Sequence, residues 1–225
     1  MLGWLIETLF ASIPEGKLIN RGFLNGFFCP IYGFGAILVI QTSQWITRLI
    51  DSGIEALILL VLLSIVLVTI LEYITGYALE KVFNCKWWDY SDDPANIKGY
   101  VCLQYSLLWG FFAAFLVTVI HPQLLARLTS IPVSWRSGMA VVLLLYLTLD
   151  TVKSVIEVLG LRGTILNYSN VSVQKYYQKV QKHKRIFLAF PRLLLLNADI
   201  IHRDVRSILN VGIIKIKDEI KDRSL

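Results

Sequence analysis

Four long apolar runs, roughly 27–47, 54–80, 100–121 and 137–157, constrain this chain more than anything else in it. Each exceeds the ~20 residues that carry a helix across a hydrocarbon core of ~30 Å. Their apolar residues arrive in blocks rather than at the spacing of a helix with one buried face. Composition agrees: 56% of residues are hydrophobic, 17% are charged, and the mean hydropathy is +0.61. A soluble domain of 225 residues needs far more polar surface. The expected fold is therefore all-α, a polytopic helical membrane protein. The opening MLGWLIETLFASI is apolar but too short to cross alone. It reads as a half-span or re-entrant helix, or as the remainder of a longer first helix. It has neither the basic start nor the cleavage site of a removable signal peptide. Counting it gives about five spans, the first one short.

Charge orients the spans. Of the 22 Lys and Arg, 13 lie from Leu161 onward, against five Asp and Glu. Lys17, Arg21, Lys81, Lys86 and Lys98 flank the first and third loops, whereas Arg48, Arg127 and Arg136 flank the opposite side. The positive-inside bias places the C-terminus and those two loops on the cytoplasmic side of a cell membrane. The expected division is a transmembrane domain over 1–160 and a basic cytoplasmic tail over 161–225. Within the tail, IFLAFPRLLLL (186–196) is too short to span and carries Pro191. Ile201, Val205, Ile208 and Leu209 recur at helical spacing, predicting an amphipathic helix against lipid, a partner or the protein itself. The tail suits anionic lipid headgroups; no nucleic-acid-binding module accompanies it. Cys29, Cys85 and Cys102 form no CxxC pair and read as reduced packing residues, not as metal ligands.

Glu7, Glu72 and Asp150 are embedded in apolar sequence. A charge at the centre of a span costs ~3 kcal/mol on insertion scales, so such residues mark function more often than packing. At ~1.5 Å per residue all three fall toward the cytoplasmic leaflet. Asp150, Lys153 and Glu157 share a helix face, on which Lys153 is expected to pair with Glu157. The first loop, NRGFLNGFFCPIYGFG (20–35), is too rich in glycine for a long regular helix. The third, WWDYSDDPANIKGY (87–100), combines headgroup-type aromatics with Pro94, Asn96 and Gly99. Both read as re-entrant or irregular turns on the cytoplasmic side, with Asn96 expected to satisfy loose backbone groups. Glu7, Phe10, Cys29 and Tyr32 recur as Glu80, Phe83, Cys102 and Tyr105 at a constant offset of 73 residues. Asn20 and Gly22 recur as Asn96 and Gly99. The pattern suggests a parallel repeat of a two-helix unit. The expected polar cluster is Glu7, Asn20, Arg21, Asn25, Tyr32, Glu72, Asp89, Tyr90, Asn96 and Asp150.

The string WWDYSDDPANIKGYVCLQYSLLWG, with EYITGYALEKVF before it and NRGFLNGFFCPIYGFGA earlier, resembles the bacterial type IV ABC-transporter permease family, CmpB-like. The resemblance covers about Gly3 to Gly160. It departs from the family at Phe27, where members carry a proline after LNG, and at the incomplete first helix. The tail beyond Leu161 lies outside it.

Three functions follow. The first, implied by the resemblance, is a permease-like component of a transport system. Its partners would be membrane lipids and a separate ATPase subunit, since the chain has no GxxxxGK[ST] phosphate loop. With so few spans it would need an oligomer or a larger complex, and it requires no cofactor. The second is an intramembrane enzyme on a lipid or lipid-linked substrate. Glu72 or Asp150 would serve as base and Arg21 would hold a phosphate, with Asp89, Asp92 and Asp93 as a metal-binding variant. No GxSxG or HExxH motif supports it, which makes an enzyme the less favoured reading. The third is a non-catalytic adaptor recruiting a protein through its tail.

Overall fold

The computed structural model describes residues 1–16, 18–51, 53–166, 184–190 and 194–195. The described chain is mostly helical: α1 (Leu2–Glu15), α2 (Pro30–Leu49), α3 (Ile54–Phe83), α4 (Leu103–Phe115), α5 (His121–Thr129), α6 (Val133–Leu166) and α7 (Lys184–Ala189). Two-residue strands β1 (Cys85–Lys86) and β2 (Leu194–Leu195) pair antiparallel, with Cys85 opposite Leu195. The amphipathic stretch expected near 201–209 lies outside the described residues, as do Lys17 and Pro191.

Three helical stretches are long and apolar enough to cross a membrane: Ile54–Phe83, Leu103–Thr129 and Val133–Leu161. The protein is an integral membrane protein on that ground. Helix α2 has the length, at 20 residues, but Gln41, Thr42, Ser43 and Gln44 dilute its apolar character. Helix α1, at 14 residues, is apolar and short. Helix α6 runs on through Leu161 to Leu166, past the expected edge of the membrane domain.

One expectation needs correction. The backbone of the first loop is irregular only up to Cys29; Pro30, Gly33 and Gly35 belong to helix α2. Pro30 stands at the helix start, where a missing N–H costs nothing and its fixed φ suits a first turn. A Cβ on Gly35 would stand 3.7 Å from the Leu71 side chain, so this glycine is a packing surface, not a breaker. The long helix 103–129 carries its own irregularity, a π-helical turn over Leu116–Ile120. Pro122 supplies the cause. It has no N–H to return to the Thr118 carbonyl and would crowd it, and one widened turn relieves both.

The described chain divides into two compact units. The first comprises Phe28–Ala78 and Asp89–Asp150, with Met1. Helix α3 shows how it is built. Ile54, Ile58, Leu62, Val66, Ile70 and Ile74 stand exposed in steps of four, as a lipid-facing ridge should. Ala56, Leu60, Ser64 and Glu72 are buried on the intervening ridge. Helix α4 packs beside that ridge with its small residues Ser106, Gly110 and Ala113, all buried. Ser106 meets Thr69, Gly110 faces Val61 and Ile65, and Ala113 shares a cluster with Ala56 and Leu60. The approach is close: a Cβ on Gly110 would come within 2.6 Å of Ile65. Small residues at such a seam let two membrane helices gain dispersion contact where lipid offers no hydrophobic drive.

The second unit comprises Leu2–Phe27, Leu79–Trp88 and the chain from Thr151 onward. Its core is Phe83, Cys85, Trp87, Val158, Leu161 and Ile186, with Phe23 and Phe190 packed against it. Trp87 sits at the centre, its ring edge-on to Phe23 at 5.2 Å and to Phe190 at 4.8 Å.

Candidate functional site

In the first unit, Glu72 lies near the C-terminal end of the apolar ridge of α3 and is only 5% exposed. Helices α3 and α4 run antiparallel here, with Thr69 donating to Ser106 at 2.8 Å and Gly110 level with Val61 and Ile65. Helical side chains lean toward the N-terminus of their own helix. The Trp109 indole therefore reaches back along α4 and donates its Nε1–H to Glu72 Oε2 at 2.9 Å. Tyr32, on the first turn of α2, places its ring edge-on to Trp109 at 5.5 Å. The three residues come from three helices and form a chain, Tyr32 against Trp109 and Trp109 on the Glu72 carboxylate. Tyr100 stands edge-on to Tyr73 and Tyr77 one turn beyond Glu72. Asp150, 8% exposed, is the second buried acid of this unit.

The loop from Asp89 belongs to the same unit and is folded largely by its own side chains. Asn96 donates to the Ser91 and Asp93 carbonyls at 3.0 and 2.9 Å and accepts from Gly99 N–H at 3.1 Å. Asp89 accepts from the Ser91 N–H and hydroxyl. Tyr90 packs on Tyr105 at 4.9 Å. Ala95, Lys98 and Gly99 adopt positive φ, which tightens the turn. Asn96 thus meets the expectation that it satisfies loop backbone, and Asp89 holds a turn. Among the described residues no group of three or more His, Cys, Asp or Glu could hold a metal, so Asp89, Asp92 and Asp93 do not converge.

The remaining expected residues gather in the second unit. Glu7 pairs with Arg21 at 3.3 Å, and the Arg21 guanidinium lies 5.4 Å from the Phe10 ring centre. Trp4 Nε1–H donates to Asn20 Oδ1 at 2.7 Å, and Asn20 Nδ2 donates to the Asn25 carbonyl at 2.8 Å. Asn25 Nδ2 donates to Ser154 Oγ at 3.1 Å and to Glu157 Oε2 at 3.0 Å. Glu157 Oε2 also stands 3.7 Å from Arg185 Nη2. Arg185 and Asn25, rather than the expected Lys153, are the partners seen on Glu157.

The ten expected residues therefore fall into two groups. Tyr32, Glu72, Asp89, Tyr90, Asn96 and Asp150 belong to the first unit, and Glu7, Asn20, Arg21 and Asn25 to the second. Sequence reasoning missed Trp109, Ser154 and Arg185. Trp109 was legible in principle, since it lies one turn beyond Ser106 on the small-residue side of its helix. Nothing local marked Arg185, whose carbonyl partners in the first loop are more than 150 residues away.

No curated protein and no solved structure matches the chain. A family model, described as "Putative ABC-transporter type IV", matches residues 1–155. That stretch includes both loops, the Glu72–Trp109 pair and Ser154, and excludes Glu157 and Arg185. On this match the chain belongs to that ABC-transporter family of membrane proteins.

Proposed function

We propose that the protein is the permease-like membrane component of a transport system, with Glu72 at the centre of a polar site near the cytoplasmic leaflet. The observation that carries this reading is the buried Glu72 carboxylate, held by the Trp109 indole, whose ring in turn meets Tyr32. An ionisable group in a long apolar helix costs ~3 kcal/mol on insertion scales, and a packing residue has no need of one. Tyr90, Asn96 and Asp150 lie in the same unit as Glu72 and are its proposed companions, while Glu7, Asn20, Arg21 and Asn25 shape the first loop in the second unit. The basic tail supports a cytoplasmic C-terminus, and with it an odd number of crossings, nominally five. The recurrence of Cys29 and Cys102 as extended N-caps of α2 and α4, each without a side-chain cap bond, supports a parallel two-helix repeat. Energy would come from a separate ATPase subunit, and a complete path from an oligomer or larger complex.

Glu72→Gln tests the site. The amide keeps an oxygen for the Trp109 indole, so membrane insertion and melting should stay near wild type while complementation of a deletion strain is lost. Normal complementation would assign Glu72 to packing. Affinity purification of the full chain from native membranes, read by mass spectrometry, should recover an ATPase subunit. Turnover of an added lipid with no ATPase present would favour an enzyme instead. Cysteine scanning of 88–98 should find labelling from the cytoplasmic side only; labelling from outside would invert the topology.

A further inference from the structure

We propose that the segment formed by Lys184–Phe190 and Leu194–Leu195 is a strap that couples the first loop to the β1 turn, so that the two loosen or tighten together. The strap lies beyond the residues matched by the family model, and it does not depend on the transport reading.

Arg185 makes the first attachment. Its Nη1 donates to the Gly22 carbonyl at 3.0 Å and the Leu24 carbonyl at 3.2 Å, and its Nη2 to the Phe23 carbonyl at 3.4 Å. Three consecutive carbonyls, belonging to no helix or strand, turn toward one cation. The planar guanidinium carries five N–H donors in a fixed fork, which the round ammonium of a lysine cannot reproduce. Glu157, at 3.7 Å, anchors the same guanidinium to α6.

The second attachment is apolar and ladder-like. Ile186 and Ala189 are 1% and 0% exposed, and Ile186 lies in the core beside Phe83, Cys85 and Trp87. Phe190 stacks edge-on to Trp87. Strand β2 then pairs with β1. The link between the two attachments is Phe23, whose carbonyl takes Arg185 and whose ring packs on Phe83 at 5.7 Å and Trp87 at 5.2 Å. Freeing Arg185 releases the backbone that positions this ring, and the β1 turn loses a wall of its core. A displacement of Lys184–Phe190 therefore reaches both turns at once.

The native Cys85 supplies a reporter, because Leu195 stands directly opposite it. Cross-strand partners have Cα atoms ~4.5–5.5 Å apart, within disulfide range. In the full chain carrying Cys29→Ala and Cys102→Ala, Leu195→Cys should form a disulfide with Cys85 under mild oxidation in membranes. Adding Arg185→Ala should lower the yield severalfold. It should also raise amide exchange by at least about tenfold both in 22–25 and in 85–87, as loss of charged hydrogen bonds implies. Arg185→Lys should behave in the same direction, and closing the disulfide in that background should restore protection of 22–25. No disulfide with Arg185 intact would overturn the strap. So would faster exchange confined to 22–25, or a disulfide that leaves 22–25 unprotected.

Discussion

The two irregular turns of this protein are built in opposite ways. The Asp89–Cys102 loop is held from within: Asn96 binds three backbone groups inside the turn, Asp89 binds Ser91, and positive φ at Ala95, Lys98 and Gly99 sets the path. The Asn20–Cys29 loop is held from outside. Its side chains and carbonyls find Trp4, Ser154, Glu157 and Arg185, while inside the loop Asn20 donates to the Asn25 carbonyl. Loop backbone requires partners wherever water is excluded. One loop carries them in its own sequence and the other borrows them from α1, α6 and α7. A self-contained turn survives changes elsewhere, whereas a borrowed one reports them.

The contrast can be broken or sharpened by substitution. Asn25→Ala removes the bonds to Ser154 and to the charged Glu157, and should cost about 2–3 kcal/mol in denaturation of the detergent-solubilised chain. Its exchange effects should spread to the neighbourhood of Ser154; an effect confined to 20–26 would mean that the loop holds itself. Asn96→Ala should cost about 1–2 kcal/mol, because its half-exposed partners recover water. Faster exchange should stay within 89–102, and spread beyond those residues would erase the distinction. Gly99→Ala places a Cβ at φ 70° and should cost about 1 kcal/mol, again locally. Asp89→Ala should be the mildest, about 0.5 kcal/mol, seen as faster exchange at Ser91 alone.

The same contrast explains what could be read in advance. The role of Asn96 is legible in the residues around it, because proline, asparagine and glycine at that spacing describe a turn that closes on itself. Around Asn25 the sequence offers only a glycine-rich loop and no hint of a partner. Its partners, Ser154 and Glu157, lie 129 and 132 residues away on α6. Glu72 stands out as a carboxylate in apolar sequence, yet nothing beside it names its donor, Trp109, 37 residues away on another helix. Pro30 and Gly35 misled for a related reason. Glycine and proline end helices in water, but at a helix start or against a packed neighbour they are tolerated.

By itself the sequence determined the solvent of this protein, its helical class and the shape of one turn. Uninterrupted apolar length demands a bilayer, a bilayer demands helices, and a short run of turn-forming residues needs no distant help. Tertiary structure alone decided which carboxylate met which donor and what held the other turn. Those choices depend on side chains from separate helices arriving at one place, and nothing in the local spacing of residues records where a distant helix will lie.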